Sequence, residues 1–205
     1  MSEELETVRP EGTPAAAPEA EKTTEGGKDK KNKKKMNPIL EWVLYIAIAL
    51  GAALFIVNVL IINSYVPSGS METTIMTGSR MLGLRTSYWF ADPQRGDIIV
   101  FKYPDDPKQN FVKRVIGVPG DVVEIIDGVT YVNGEELEEP YLNGTPKARD
   151  YGPYVVPEKC YFVMGDNRNN SHDSRFWTNT YVPRDYVLGK ALFCYWPINR
   201  IGVIR

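Results

Sequence analysis

The chain has 205 residues, a formal net charge of −2, and 43% apolar or aromatic residues. That length is enough for one folded domain with a true hydrophobic core. The near-zero charge argues against a nucleic acid partner, because binding to phosphate backbones calls for a strongly basic surface. The one dense basic cluster, between Lys28 and Lys35, lies directly before an apolar segment, so we expect membrane lipid to be its partner.

Residues 1–36 form a leader rich in Glu, Pro, Ala and Lys, with almost no large apolar residue. This composition predicts a disordered segment. Residues 37–63 are almost entirely apolar and about as long as a helix needs to cross a bilayer, so they are predicted to be a transmembrane helix. Lysines lie before this helix and not just after it, which predicts a single-pass protein of the plasma membrane. Its amino terminus would be cytoplasmic, and residues 64–205 would lie outside.

A cleaved signal peptide is the competing interpretation of the same pattern. The apolar run is longer than a typical signal core, and the following residues, Asn63 to Pro67, offer no good small-x-small cleavage site. Ser68-Gly69-Ser70 is the nearest formal candidate. We therefore favour a permanent anchor.

Beyond residue 64 the pattern changes to short β-type runs separated by turn residues. These runs are Asp97–Phe101, Val112–Val115, Val122–Ile126, Val129–Val132, Tyr161–Met164 and Ala191–Tyr195. Asp127-Gly128 predicts a two-residue hairpin and Asn133-Gly134 another tight turn, whereas residues 140–157 are interpreted as turn and loop. The predicted fold is mostly β: antiparallel sheets preceded by one transmembrane helix.

The two cysteines, Cys160 and Cys194, are far apart and lack the C-x-x-C spacing of zinc or redox motifs. They would be able to form a disulfide if their strands were neighbours outside the cell. We favour the alternative that both are small apolar core residues, because free cysteine packs as a hydrophobe.

Two residues suggest covalent catalysis. Ser70 lies in the run Val66-Pro67-Ser68-Gly69-Ser70-Met71, a few residues beyond the apolar segment, and Lys113 lies in an apolar strand. If the strand face that carries Lys113 is buried, the loss of hydration lowers the lysine pKa, as a general base requires. The alternatives are a linker serine and a lysine whose head reaches water.

A dense polar loop, Gly165 to Arg175, follows the run that ends at Met164, and such loops often carry functional sites. It contains His172, the only histidine of the chain. A Ser/His/Asp triad with Asp173 is disfavoured, because adjacent side chains rarely point at one another. We interpret His172 as an exposed loop residue.

Together these residues resemble the bacterial type I signal peptidases, membrane-anchored serine proteases with a Ser-Lys dyad. The resemblance covers essentially the whole chain after the leader, in four ordered motifs. The motifs are Pro67–Met71, Arg95–Phe101, Phe111–Asp121 and Gly165–Arg175.

The resemblance implies that Ser70 is the nucleophile, that Lys113 is the general base and that Ser68 helps to hold the oxyanion. It further implies that Ser171 orients the Lys113 amine. Two charge pairs, Asp173 with Arg175 and Asp166 with Arg114, would keep the site in shape. The expected substrates are signal peptides of secreted preproteins, cut after small residues at Ala-x-Ala sites, with neither a metal nor a cofactor.

The chain departs from the family pattern at Thr73, where proline is usual, at Ser79, where aspartate is common, and at Thr178, where glycine is frequent. None of these residues belongs to the dyad, so the departures concern loop shape and substrate preference. Three other functions stay open: a self-cleaving repressor peptidase, for which no DNA-binding segment is visible, a peptidase dedicated to one substrate, and a non-enzymatic membrane-tethered β module.

Overall fold

The structure is a computed structural model that describes residues 37–205. The predicted disorder of the leader, residues 1–36, lies outside the described residues. Within the described residues, an apolar helix is followed by antiparallel β-sheets, which confirms the predicted fold class.

The helix α1 (Pro38–Phe55) continues through a π-helical turn, Ile56–Leu60, and the whole segment is long and apolar enough to cross a membrane. The side chain of Asn58 donates a hydrogen bond to the Leu54 carbonyl over 2.7 Å, so its amide is satisfied within the helix. The helical segment ends at Leu60 rather than at residue 63. The next residues instead pair with another strand, and their two isoleucines suit an extended backbone.

The strands follow in chain order. They are β1 (Ile61–Tyr65), β2 (Arg80–Leu84), β3 (Ile98–Tyr103), β4 (Asp106–Gly117), β5 (Val122–Ile126), β6 (Val129–Val132), β7 (Glu135–Glu136), β8 (Tyr151–Val155), β9 (Cys160–Met164), β10 (Val182–Pro183), β11 (Val187–Trp196) and β12 (Gly202–Val203).

In residues 37–205 these strands form two antiparallel sheets. The larger sheet has the order β1-β2-β11-β3-β4-β9-β10, with β12 paired to β11, and the smaller has the order β7-β6-β5-β8. The long strand β4 lies near the middle of the larger sheet. It pairs with β3 along most of its length but with β9 only from Arg114 onward. Up to Lys113, one edge of β4 therefore has no strand partner among the described residues.

The predicted turns have the expected backbone. Asp127 and Gly128 have φ angles of 52° and 83°, the left-handed pair that a tight hairpin between β5 and β6 requires. Strand β8 lies within residues 140–157, for which the sequence pattern predicts turn and loop, so this prediction is wrong for Tyr151–Val155. Its Gly152 and Pro153 are poor strand formers, but β8 lies at the edge of the smaller sheet, where proline is tolerated.

Both cysteines are free thiols. Cys194 is buried in an apolar cluster with Met71 and Met81, and Cys160 packs at the margin of another apolar cluster. This arrangement agrees with the favoured interpretation of core residues and not with a disulfide.

Candidate active site

The segment that carries Ser70 is held in place from both sides. Ser70 lies in a short 3₁₀ turn, Gly69–Met71, just after β1, and the Met71 side chain is fully buried in the core. Asn167 binds the turn twice, because its backbone N–H donates to the Ser70 carbonyl and its side chain donates to the Gly69 carbonyl, each over 3.1 Å. The loop after β9 therefore fixes the position of the serine.

Lys113 reaches the serine from β4. It lies opposite Ile99 of β3, and its side chain is only 4% exposed. Its Nζ donates a hydrogen bond to Oγ of Ser70 over 2.5 Å, and it lies 5.7 Å from the centre of the Phe111 ring. Strand alternation explains this arrangement, because Phe111 and Lys113 point to the same face of β4.

Two buried ion pairs flank the lysine. Nε and Nη2 of Arg114 donate to the two carboxylate oxygens of Asp166 over 2.8 and 2.7 Å. Nε and Nη2 of Arg175 donate to the two oxygens of Asp173 over 2.8 and 2.9 Å. These are the two pairs named from the sequence, and each has the bidentate geometry of a strong arginine–carboxylate contact.

Burial lowers the pKa of Lys113 from 10.5 to about 8. The nearby carboxylates of Asp173 and Asp166 act in the opposite direction, while the Arg175 guanidinium lowers the pKa further. Because each carboxylate is paired with an arginine, it offers the lysine less compensating negative charge. The result is an amine with a substantial neutral fraction near physiological pH.

The two remaining serines differ in their contacts. Oγ of Ser68, an exposed residue, lies 3.4 Å from Oγ of Ser70. Oγ of Ser171 is buried and has no hydrogen-bond partner, so the expected hydrogen bond to Lys113 is absent from this structure. Ser171 nonetheless lies close to the site, since a Cβ added at Gly165 would overlap both its hydroxyl and the Ser70 carbonyl.

Several contacts were missed by the sequence analysis. The hydroxyl of Thr74 donates to Asp166 over 2.5 Å, joining the segment after Ser70 to the Arg114–Asp166 ion pair. The Arg114 guanidinium also stacks on the Tyr141 ring, 3.8 Å from its centre, and donates to the Gly96 carbonyl over 2.9 Å. A lone threonine or tyrosine carries no signal for such long-range contacts.

Arg168 was also missed. Its guanidinium is buried, forms an ion pair with Glu139, and donates to the Thr130 hydroxyl over 2.7 Å. Its carbonyl accepts a hydrogen bond from Arg175 over 2.9 Å. Arg168 thus connects the Gly165–Arg175 loop to the smaller sheet.

A cleft of about 420 Å³ opens beside the serine and the lysine. Its walls come from the end of β1 and the segment after it, and from Gln109 to Lys113 of β4. His172 lies in the wall, exposed as predicted, with its Nε2 3.2 Å from the Tyr103 hydroxyl. The volume falls in the range of ordinary ligand sites.

The three residues at which the chain departs from the expected pattern do not contact Ser70 or Lys113 through any hydrogen bond found among residues 37–205. Thr73 is exposed, and Ser79 is buried with a hydroxyl that has no hydrogen-bond partner. The backbone N–H of Thr178 donates to Asp105 over 2.9 Å, at the tip of the β3–β4 hairpin. Among residues 37–205, no group of three or more His, Cys, Asp or Glu side chains is arranged to hold a metal ion.

Comparisons with known proteins agree on one family. Residues 39–196 match the family model described as signal peptidase, peptidase S26. The chain is 41% identical to a probable signal peptidase I-2 of Synechocystis over 79% of this chain and 73% of the relative. It is 38% identical to a signal peptidase I of Leptolyngbya laminosa over 98% of this chain and 96% of the relative.

A solved signal peptidase I structure from Enterococcus faecalis is 37% identical, with a TM-score of 0.43, and covers 48% of this chain and 96% of that one. The family match extends from the apolar helix through β11 and includes both residues of the Ser70–Lys113 contact. The chain therefore belongs to the peptidase S26 family, the signal peptidases.

Proposed function

We propose that this chain is a membrane-anchored serine endopeptidase that removes signal peptides from exported preproteins with a Ser70–Lys113 dyad. Family membership supports the removal of signal peptides. The observation that most directly supports the dyad is the 2.5 Å contact between Ser70 Oγ and Lys113 Nζ. Burial of the lysine lowers its pKa and so favours the neutral amine.

In the first half of the reaction, Oγ of Ser70 attacks the scissile carbonyl carbon while neutral Lys113 takes the hydroxyl proton. The backbone N–H of Ser70 and the Ser68 hydroxyl stabilise the negative oxygen of the tetrahedral intermediate. The protonated lysine then gives its proton to the leaving amine. The peptide bond breaks, the mature protein departs, and the signal peptide stays on Ser70 as an ester.

In the second half, a water molecule attacks the ester carbonyl while Lys113, neutral again, takes a proton from the water. Collapse of the second tetrahedral intermediate releases the signal peptide, and the lysine returns the proton to Oγ of Ser70. Every proton in the cycle moves through the same pair of side chains. The ion pairs Asp166–Arg114 and Asp173–Arg175 hold Ser70 and Lys113 in position. Ser171 orients the Lys113 amine when the site rearranges around substrate.

The cleft supports an extended peptide as the substrate. Residues Gln109 to Lys113 of β4 offer backbone groups along an edge with no strand partner among the described residues, and an extended chain can pair with such an edge. Val66, Pro67 and Met71 also line the cleft, and their apolar side chains suit small apolar residues such as alanine. This shape supports cleavage after Ala-x-Ala.

The topology is part of the same proposal. Residues 1–36 are cytoplasmic, the helical segment Pro38–Leu60 crosses the membrane, and the peptidase domain, which begins with β1 at Ile61, lies outside. The length and apolar composition of the helix support the membrane span. The lysines that precede it support a cytoplasmic amino terminus. Enzyme and preprotein would then meet in the plane of one membrane, which raises their effective concentration.

The test is cleavage of a preprotein with an Ala-x-Ala site by the detergent-solubilised full chain. We expect Ser70→Ala and Lys113→Met to abolish cleavage and wild type to cut after the second alanine. Ser64→Ala in β1 and Lys102→Met in β3 are matched controls, and both should stay active. Circular dichroism of each variant checks folding. Full activity of either folded dyad variant would refute the dyad, and an inert wild type would refute the peptidase.

A further inference from the structure

A second cavity lies on the other side of the loop that carries part of the candidate site. Asn170 and His172 of this loop line the cleft beside Ser70, whereas the alternate residues Asn169 and Ser171 line the second cavity. A single stretch of chain therefore separates the two spaces. The second cavity has a volume of about 80 Å³, which is room for a small ion or a few water molecules.

Positive charge is concentrated around this second cavity. Four cationic side chains belong to its wall, those of Lys147, Arg149, Arg168 and Arg175. No acidic side chain among residues 37–205 lines it, and we call it the basic pocket. Ion pairs with Glu139 and Asp173 neutralise two of the four charges, so two are left uncompensated.

The two uncompensated cations are Lys147 and Arg149. Both side chains are exposed, and neither forms an ion pair with any residue from 37 to 205. The neighbouring acid, Asp150, is not part of the pocket wall, and its carboxylate accepts a hydrogen bond from the backbone N–H of Asp127 over 2.7 Å. The charges of the lysine and the arginine are thus available to a ligand.

The segment that carries these two cations is held against the smaller sheet. The backbone N–H of Lys147 donates to Oδ1 of Asn169 over 2.9 Å, and the N–H of Gly128 donates to the Arg149 carbonyl over 3.1 Å. Gly128 belongs to the β5–β6 turn, and a Cβ added there would lie only 2.7 Å from the Lys147 carbonyl. Because the backbone is already fixed, ligand binding has to order only the two side chains, which limits its entropic cost.

Arg175 supplies a third donor, already oriented. Its Nε and Nη2 bind Asp173, and its guanidinium carbon lies 5.1 Å from the centre of the Phe176 ring and 5.6 Å from that of Tyr151. Its Nη1 donates no hydrogen bond to any residue from 37 to 205. A guanidinium group fixed in this way is well suited to bind carboxylate or phosphate oxygens.

The hydroxyl of Ser171 gives an independent reason to expect a ligand. It is buried without a hydrogen-bond partner, which is costly unless a bound ion or water completes the site. Ser171 is part of the pocket wall and also reaches the nucleophile turn. Its Oγ and the Ser70 carbonyl oxygen lie 2.3 and 2.4 Å from one point, the position of a Cβ added at Gly165.

We propose that the basic pocket binds a small oxyanion, a phosphate or a carboxylate, through Lys147, Arg149 and Nη1 of Arg175. Larger ligands do not fit, because sites for drug-sized molecules typically have about 300–1,000 Å³. Two sources can supply this chemistry: a free anion, or an acidic side chain of a bound preprotein just after the cut. Binding of a free anion does not depend on the proposed function, whereas its effect on cleavage rests on it.

A bound anion should weaken the proposed base at neutral pH. Asp173 and Asp166 raise the pKa of Lys113, Arg175 lowers it, and Arg114 is paired with Asp166. An anion held against Arg175 offsets part of its positive charge, so the neutral fraction of the lysine at pH 7 falls. At pH 9.5 the lysine is neutral with or without the anion, and the effect should disappear.

The melting temperature of the detergent-solubilised full chain measures binding without any activity. Sodium phosphate replaces sodium chloride at constant ionic strength and pH 7. Phosphate at twenty times its Kd should raise the melting temperature of wild type by about 5 °C. The double variant Lys147→Met, Arg149→Gln should lose this rise, because two of the three donors are gone.

Lys159→Gln is the matched control for the double variant. Lys159 is an exposed lysine just before β9 that forms no ion pair within residues 37–205, so its replacement should leave the rise as in wild type. The absence of a rise in wild type, or an equal rise in wild type and the double variant, would overturn the oxyanion site.

Peptide binding to the inactive Ser70→Ala chain identifies the source of the oxyanion. Two peptides share one Ala-x-Ala site and carry Glu or Gln at the third residue after the cut, because three extended residues span about 10 Å and can cross one stretch of chain. Tighter binding of the Glu peptide that disappears with Lys147→Met, Arg149→Gln assigns the pocket to an acidic side chain of the preprotein. Equal binding of both peptides, with the phosphate-dependent rise intact, assigns it to a free anion.

Cleavage tests the coupling to Lys113. With the same phosphate concentration, kcat/KM of wild type for the Gln peptide should fall about twofold at pH 7 and stay unchanged at pH 9.5. The double variant should be unaffected at both pH values. Equal slowing of wild type and the double variant would refute the coupling. A wild type that cleaves no peptide would refute the proposed function, whereas the melting temperatures would still decide the oxyanion site.

Discussion

Oγ of Ser70 and Nζ of Lys113 lie 2.5 Å apart, although 43 residues separate them in the chain. The contact depends on two elements with different supports. The serine is held by Asn167 and by the burial of Met71, whereas the lysine is held by the pairing of β4 with β3. A hydroxyl and an amine at this distance can act as nucleophile and general base only if the amine is neutral for part of the time.

The pH dependence of cleavage should report the lysine. Because burial lowers the pKa of Lys113 to about 8, kcat/KM should rise about tenfold per pH unit below pH 8 and level off above it. The value of kcat/KM falls at low pH because a protonated lysine cannot act as the base. A peptide substrate without ionisable side chains near the cleavage site, assayed from pH 6 to pH 10, gives the profile. A flat profile across this range would contradict a lysine base.

Arg175 should control the position of that profile. Its guanidinium lowers the pKa of Lys113 and neutralises Asp173, whose carboxylate raises it. In Arg175→Gln the carboxylate is no longer compensated, so the rising limb of the profile should move to higher pH. For every pH unit that the limb moves, the rate at pH 7 falls about tenfold, because the neutral fraction of the lysine falls by the same factor. The rate should recover at high pH.

The matched control for this variant is Arg95→Gln, which breaks the Arg95–Asp121 ion pair. That arginine is not among the groups that shift the pKa of Lys113, so its profile should coincide with that of wild type. An Arg175→Gln variant that stays equally slow at every pH would instead indicate damage to the site geometry.

Much of the fold was predictable from local patterns. The run from Val122 to Ile126 is β-branched and bounded by turn residues, and it forms β5 with the predicted bounds. Asp127-Gly128 has the required turn chemistry, which is entirely local. In contrast, Ile61 and Ile62 continue the apolar pattern of the helix, so nothing local marks the change to β1. It depends on pairing with β2, which is a tertiary effect.

The candidate site also combines features that the sequence predicts with features that depend on tertiary contacts. Ser70 and Lys113 stood out because of their unusual surroundings in the sequence and a family resemblance. The threonine that binds Asp166 has no such signal, because its partner is 92 residues away. The sequence also gives no sign that the buried hydroxyl of Ser171 lacks a hydrogen-bond partner, because that depends on tertiary packing.

Thr74 should matter more for stability than its partly exposed position suggests. Its hydroxyl is one of the donors that satisfy the buried Asp166 carboxylate, at 2.5 Å. Thr74→Val keeps the shape and removes the donor, so the free energy of unfolding should fall by about 1–3 kcal/mol. Urea unfolding of the detergent-solubilised full chain, followed by tryptophan fluorescence, measures the loss.

Thr77→Val is the control for this substitution. The exposed Thr77 donates to Glu72 over 2.6 Å in a contact open to solvent, so the same change should lower the free energy of unfolding only slightly. Equal losses for the two variants would mean that the contact with Asp166 contributes nothing specific.

The buried lysine should lower stability at neutral pH. The pKa of Lys113 is about 8 in the folded state and 10.5 for the free side chain, so folding opposes protonation between these values. Below pH 8 both states carry the charge and the full penalty of about 3 kcal/mol applies. As pH rises from 8 toward 10.5, the folded lysine loses its proton first, and the penalty declines. Lys113→Met has no such group, so it should be more stable than wild type at pH 7, by a margin that shrinks above pH 8.

Thermal unfolding of the full chain in detergent, measured by circular dichroism at several pH values between 7 and 10, tests this expectation. Lys102→Met is the matched control, because Lys102 is an exposed lysine on the neighbouring strand β3 and its replacement should leave the pH dependence of stability as in wild type. A stability difference between Lys113→Met and wild type that stays constant from pH 7 to pH 10 would mean that the folded lysine keeps its proton throughout this range. The proposed neutral base would then be refuted.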